Sequence, residues 1–240
     1  MKRPDPSTGG SRKVDAGPTA WQLLARLSRA DTPRSHRIAD GSVPTQAEGY
    51  DLLRTQMLVA TTARDWTCLA IAQAGPSGAA AAVTAVNLAL SEARRPHRKV
   101  VLADLDAVAQ PVSHLLRVAP PLPPSPTPPA GPTLLCHAVN DRLALLRIAA
   151  HRDEAAVTLL SPDFHRQLDG AMDDLTPDII LLHLPPLLSG DAGLAGLDLA
   201  QAVLLVIDGR ADTAERIRTA QARIAARCPV IGIFLHDAEA

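Results

Sequence analysis

The chain has 240 residues, of which 47% are apolar and only 2% aromatic, and its net charge is −1. That length and composition suit one α/β domain with a core of Leu, Ala, Val and Ile, and exclude a disordered chain. Near-neutral charge gives no overall electrostatic case for nucleic acid, and none is expected as a partner.

The charge is nevertheless uneven. Residues 1–45 hold eight Lys/Arg and four Asp, so a basic leader precedes an acidic remainder. The leader, 1–44, reads as largely disordered, with a short helix near 20–30 that brings Trp21, Leu24 and Leu27 to one side. Such a helix packs back on its own domain or docks on a membrane or partner; the first is preferred. No apolar run near the start reads as a signal peptide, and none approaches the roughly 20 residues that span a bilayer. The expected location is therefore cytoplasmic, peripheral at the inner membrane through a partner. Cys68, Cys136 and Cys228 are far apart, lack zinc spacing and read as buried thiols.

From residue 45 to 240 a single α/β domain is expected. Residues 45–60 predict a helix, with Thr45 and Glu48 placed as a capping box. Thr67–Ala72 predicts a buried strand and Ala79–Arg94 a helix. Lys99–Ala103 predicts a strand ending at Asp104, and 111–118 a short helix. Residues 119–132 contain eight prolines and must run as an extended loop. Leu143–Ile148 predicts a strand. Ser161-Pro162 opens a helix running to about Asp174. Strands follow at Ile179–Leu182 and Ala202–Ile207, then a helix at 213–227 and a last strand at Val230–Leu235. Apolar runs alternating with helical patterns predict a doubly wound, mostly parallel sheet with helices on both faces, a three-layer α/β/α arrangement.

In such a sheet ligands bind at the carboxyl ends of the strands. Three of those ends stand out. Gly75-Pro76-Ser77-Gly78-Ala79-Ala80-Ala81-Ala82 has the strand–loop–helix frame of a phosphate-binding loop, but Ala80, Ala81 and Ala82 stand where Gly-Lys-Ser/Thr belongs. Asp104 and Asp106 follow the second strand. His183 ends the Ile179 strand, just before Pro185-Pro186. Each site also has a plainer reading. The alanines allow close helix–sheet packing, the two aspartates cap a loop or the next helix, and His183 is a hydrogen-bonded strand-end residue. Asp208 and Asp212 read as solvated or capping.

Five segments in order carry a resemblance to a family. They are Glu48–Thr55, Gln73–Leu90, Val101–Asp106 with His114-Leu115-Leu116, Leu160–Phe164, and Asp178–Leu188 with Asp191-Ala192. Together they resemble the ParA/MinD-type P-loop ATPases, and more closely the cytoplasmic tyrosine kinases of bacterial capsule and exopolysaccharide synthesis. The resemblance implies a P-loop NTPase-like fold and a place in that synthesis or export. It makes Gly75–Ala82 the nucleotide loop, Asp104 and Asp106 the Mg²⁺ carboxylates if Mg²⁺ binds, and His183 the Walker B position. Glu48, Asp51 and Arg54 fall on the motif that supports ring assembly, with Asp51 where an arginine is expected.

The departures decide the expected activity. The phosphate-binding lysine is Ala81, the metal-binding hydroxyl is Ala82, and the Walker B carboxylate is His183. The only tyrosine is Tyr50, where the family's kinases carry a tyrosine-rich tail. A charge-assisted contact to phosphate is worth about 1.5–3 kcal/mol. Loss of one preorganised transition-state donor costs about 10²–10³ in rate. The expectation is weak or no ATP and Mg²⁺ binding and no phosphoryl transfer. The chain then reads as a degenerate binding partner of a membrane chain-length or export protein or of an active kinase paralogue, with self-association a further option. The alternatives are an ATPase or tyrosine kinase using Asp104 and Asp106 for Mg²⁺, and a ParA-like positioning protein.

Overall fold

Six of the apolar runs pair as parallel strands. In the computed structural model, which describes residues 19–27, 44–118, 133–149 and 154–237, the helices and strands are as follows. Helices α1 (Ala20–Leu23) and α2 (Pro44–Thr62) precede β1 (Cys68–Gln73), α3 (Ala79–Ala93), β2 (Val100–Asp104) and α4 (Pro111–Leu116). Then come β3 (Thr133–Ala138), β4 (Leu143–Ala149), α5 (Ala155–Leu160), α6 (Pro162–Leu175) and β5 (Ile179–His183). The last elements are α7 (Ala192–Leu197), β6 (Ala202–Asp208), α8 (Ala214–Ala225) and β7 (Val230–His236).

The strands form one sheet in the order β3-β4-β2-β5-β1-β6-β7. Every neighbouring pair is parallel except β3 with β4. Central strands β1, β2 and β5 are apolar nearly throughout because both of their faces are covered. On one face lie α2, α3 and α4, packed on Leu69, Ile71, Leu102 and Leu181. On the other lie α1 and α5 to α8, packed on Ala70, Val101, Ala103 and Leu182. The doubly wound, three-layer expectation therefore holds.

Several details differ from expectation. The helix near 20–30 is only the single turn of α1, and the chain then leaves it so that Arg26 bridges Ala138 at the end of β3. It packs back on the domain, with Trp21 Nε1 donating to the Leu175 carbonyl at 2.6 Å. Helix α2 begins at Pro44, so Thr45 lies inside the first turn rather than capping it. Ser161 does cap α6, its hydroxyl accepting from the Phe164 N–H. Strand β3 and helices α5 and α7 are additional elements. The proline-rich segment 119–132 and residues 1–18 lie outside the described residues.

The short helix α7 packs backbone against backbone. A Cβ on Gly193 would lie 2.6 Å from the Pro185 carbonyl oxygen and 3.1 Å from the Leu187 Cα. Neither backbone atom can swing aside as a side chain would. Gly193→Ala is expected to destabilise the fold by about 1–3 kcal/mol, the usual cost of overpacking. Urea denaturation checks this, with Gly190→Ala unchanged, since a Cβ there meets nothing within 4 Å.

Candidate functional site

Strand β1 delivers the chain into the loop 74–78, and α3 begins at Ala79. Gly78, with φ of 61°, makes the left-handed turn that starts the helix, and Pro186 lies over it. In a phosphate loop the first N–H groups of this helix would face the anion. Here each of them has a partner within the chain. The Ala79 N–H donates to Ser77 Oγ at 3.3 Å. Those of Ala80 and Ala81 donate to Gln73 Oε1 at 3.2 and 3.3 Å. Ala82 already belongs to the helix ladder, bonding the Gly78 carbonyl at 3.0 Å.

Gln73 is thus the loop's own ligand. It is fully buried, and its Nε2 reaches Asp212 Oδ2 at 3.4 Å. Asp212 is itself held by the Asp208 N–H at 2.8 Å. Its other oxygen stands against Gly75, 2.2 Å from where a Cβ would be. Only glycine lets that carboxylate come so close. The position is closed by a side-chain amide and guarded by a negative charge. Ala81 and Ala82, at the lysine and hydroxyl positions, are completely buried in the helix–sheet interface.

One strand further along, β5 ends at His183, and β2, its neighbour, ends at Asp104. The imidazole Nδ1 donates to Asp104 Oδ1 at 3.0 Å, and both side chains are buried. Asp104 also stands opposite Arg147 of β4, which is 4% exposed. Burial lowers the guanidinium's hold on its proton, and the Asp104 charge opposes that effect. Asp104 therefore lies between a histidine and an arginine on the two adjacent strands. Its carboxylate accepts in addition from the Asp106 N–H at 3.3 Å and the Val112 N–H at 3.2 Å. Asp106 accepts from the N–H groups of Val108 and Ala109 at 3.3 and 2.8 Å. Both aspartates thus do the capping work of the plainer reading.

A Mg²⁺ ion prefers oxygen ligands, usually carboxylates together with substrate phosphates. This donor set does not fit that need. Asp104 is engaged by a histidine and two backbone N–H groups, the hydroxyl is Ala82, and the third carboxylate is His183. Among the described residues, no group of three or more His, Cys, Asp or Glu side chains is arranged to hold a metal.

The ring-motif positions face their own chain. Asp51 accepts from the Ser91 hydroxyl, from Arg94 at 2.5 Å and from Arg54 at 3.1 Å. Arg54 also donates to the Ser91 carbonyl at 3.2 Å. These contacts fasten α2 to α3. Burial raises the Asp51 pKa, but the Ser91 and Arg94 hydrogen bonds and the Arg94 and Arg54 charges outweigh it, and the net shift is downward. That stabilisation is present above the ordinary aspartate range and is lost as pH falls through the lowered value. Glu48 is exposed. The three thiols are partly rather than fully buried, against expectation; burial pushes Cys68 up to about 12 and Cys136 up to about 11, which disfavours their thiolates at neutral pH.

The sequence matches no protein-family model and no curated protein. Solved structures are similar to it, however. The kinase domain of Escherichia coli tyrosine kinase ETK shares 17% identity at a TM-score of 0.67, over 90% of this chain and 88% of that one. The kinase domain of VpsO shares 18% at 0.64, over 82% and 98%. The chimerical protein CapA2B2 shares 14% at 0.66, over 88% and 93%. The chain has the fold of bacterial tyrosine kinase domains. Within that kinase fold, sequence reading placed Gly75–Ala82, Asp104, Asp106 and His183 correctly at the carboxyl ends of the strands. It missed the roles of Gln73, Asp212 and Arg147. For Gln73 a signal existed, a lone polar residue at the end of an apolar strand.

Proposed function

We propose that this chain is a non-catalytic protein on the tyrosine-kinase fold. It acts as an accessory or regulatory partner in exopolysaccharide or capsule synthesis or export. One observation carries the reading. The N–H groups that would cradle a phosphate are bonded to Ser77 and Gln73, and a carboxylate stands beside them. Its partner is a membrane chain-length or export protein, or an active kinase of the same fold, and the chain works peripherally at the membrane. No helix among the described residues is long and apolar enough to cross a bilayer, which suits recruitment from outside it.

Radiolabelled phosphate transfer tests the reading. The purified chain, incubated with MgATP, is expected to incorporate no label and release no phosphate above background. Added to an active tyrosine kinase of this fold, it is expected to change that kinase's rate of autophosphorylation. Turnover by the chain alone, or no effect on any such kinase from the same gene neighbourhood, would overturn the proposal.

A further inference from the structure

Charge is divided between the two ends of the sheet. At the carboxyl ends, connections 105–110, 184–191 and 209–213 hold Asp106, Asp191 and Asp212 against Arg210 alone. At the amino ends, connections 198–201 and 226–229 hold Asp198 and Arg227, which pair with each other, while 63–67, 94–99, 139–142 and 176–178 hold Arg64, Arg94, Arg95, Arg98, Lys99 and Arg142. Against them stand Asp65, Asp141 and Asp178. Arg94, Arg95 and Arg98 are matched by Asp51, Glu92 and Asp178. Asp141 is matched by Arg26.

Arg64, Lys99 and Arg142 have no ion-pair partner among the described residues. Their side chains donate instead to the carbonyls of Ala60, Asp141 and Arg95. Two of these cations cover tryptophans. Arg64 lies 5.0 Å from the centre of the Trp66 ring, and Lys99 Nζ lies 4.7 Å from that of Trp21. The chain has two tryptophans, so both lie at this end, and each is partly exposed. Leu23, on the same short helix as Trp21, is 70% exposed.

Cations answer any anionic surface, and the tryptophans narrow the choice. Their rings are amphipathic and favour the headgroup level of a membrane, where an apolar body and a polar edge are both accommodated. Basic side chains near an anionic leaflet are drawn to it at a gain of about fivefold in affinity each. We propose that the amino-end face of the sheet, centred on Arg64, Lys99, Arg142, Trp21 and Trp66, docks on an anionic phospholipid bilayer. The acidic carboxyl end then points away from the membrane. This inference stands apart from the catalytic question, since an active enzyme could use the same face.

Co-sedimentation of the full chain with vesicles tests it. Vesicles of phosphatidylcholine are compared with vesicles in which phosphatidylglycerol replaces one lipid in three. Binding is expected to the anionic vesicles only, to weaken with added salt, and to shift tryptophan emission to the blue. The double variant Arg64→Gln/Arg142→Gln is expected to lose roughly twentyfold in affinity. Arg216→Gln, at the carboxyl end, is expected to keep it. Circular dichroism confirms that each variant is folded. Equal binding to both vesicle types overturns the proposal. So does full binding by the double variant, including the case where neutralising Lys2, Arg3, Arg12 and Lys13 alone abolishes it. Tighter binding to duplex DNA than to the vesicles at the same salt also overturns it.

Discussion

Asp104→Ala is expected to destabilise the protein by about 2–4 kcal/mol, because several buried groups lose their acceptor at once. The Asp104 charge, which offsets part of the effect of burial on Arg147, would go. The N–H groups of Asp106 and Val112, and Nδ1 of His183, would lose their acceptor. Asp104→Asn retains part of the hydrogen bonding and should fall between. Urea denaturation at neutral pH measures both. A metal-binding carboxylate behaves in the opposite way, since its removal relieves repulsion when the metal is absent. Unchanged or increased stability in Asp104→Ala would therefore sink the structural account of this residue.

The parallel strands were legible because each is an apolar run bounded by turn residues. Their ends lay within a residue or two of expectation. Strand β3 escaped notice for a physical reason. It is an antiparallel edge strand of only moderate burial, Thr133-Leu134-Leu135-Cys136-His137-Ala138, directly after a proline-rich stretch. Helices α5 and α7 have six residues each, too few for a 3.6-residue period to repeat clearly. The strand-end positions of Ala81, Ala82 and His183 were legible in the sequence. The side chains that meet there were not. Gln73 and Asp212 are 139 residues apart and meet only because β6 pairs with β1. Arg147 meets Asp104 only because β4 pairs with β2, across a connection that contains the eight prolines.

These internal contacts share one logic. A nucleotide site concentrates phosphate charge, a lysine and a metal ion at the carboxyl ends of the strands. Here the same place is balanced from within. Arg147 stands as the cation, Asp104 as the anion, and the Gln73 carbonyl oxygen occupies the N-terminus of α3. Polar groups without partners at these positions would each cost about 1–3 kcal/mol. The internal partners remove that cost.

Wild-type protein is accordingly expected to show no rise in melting temperature with millimolar MgATP. The assay has room to detect binding. A ligand present at about a hundred times its dissociation constant stabilises by about 2.7 kcal/mol. For a chain of this size that corresponds to a shift of roughly 5–11 °C. The cause of the null result can be tested in the same experiment. Gln73→Ala frees the N–H groups of Ala80 and Ala81 and should destabilise by about 2–4 kcal/mol, because buried donors lose their acceptor. Inorganic sulfate, which can approach such a helix terminus, should then raise the variant's melting temperature by more than the wild type's. The comparison with wild type is essential, since sulfate strengthens burial in any protein. A clear MgATP shift in the wild type would show that Gln73 yields to phosphate, and the non-catalytic reading would fall with it. An equal sulfate response in both proteins would show that the Gln73 amide is not what closes the loop.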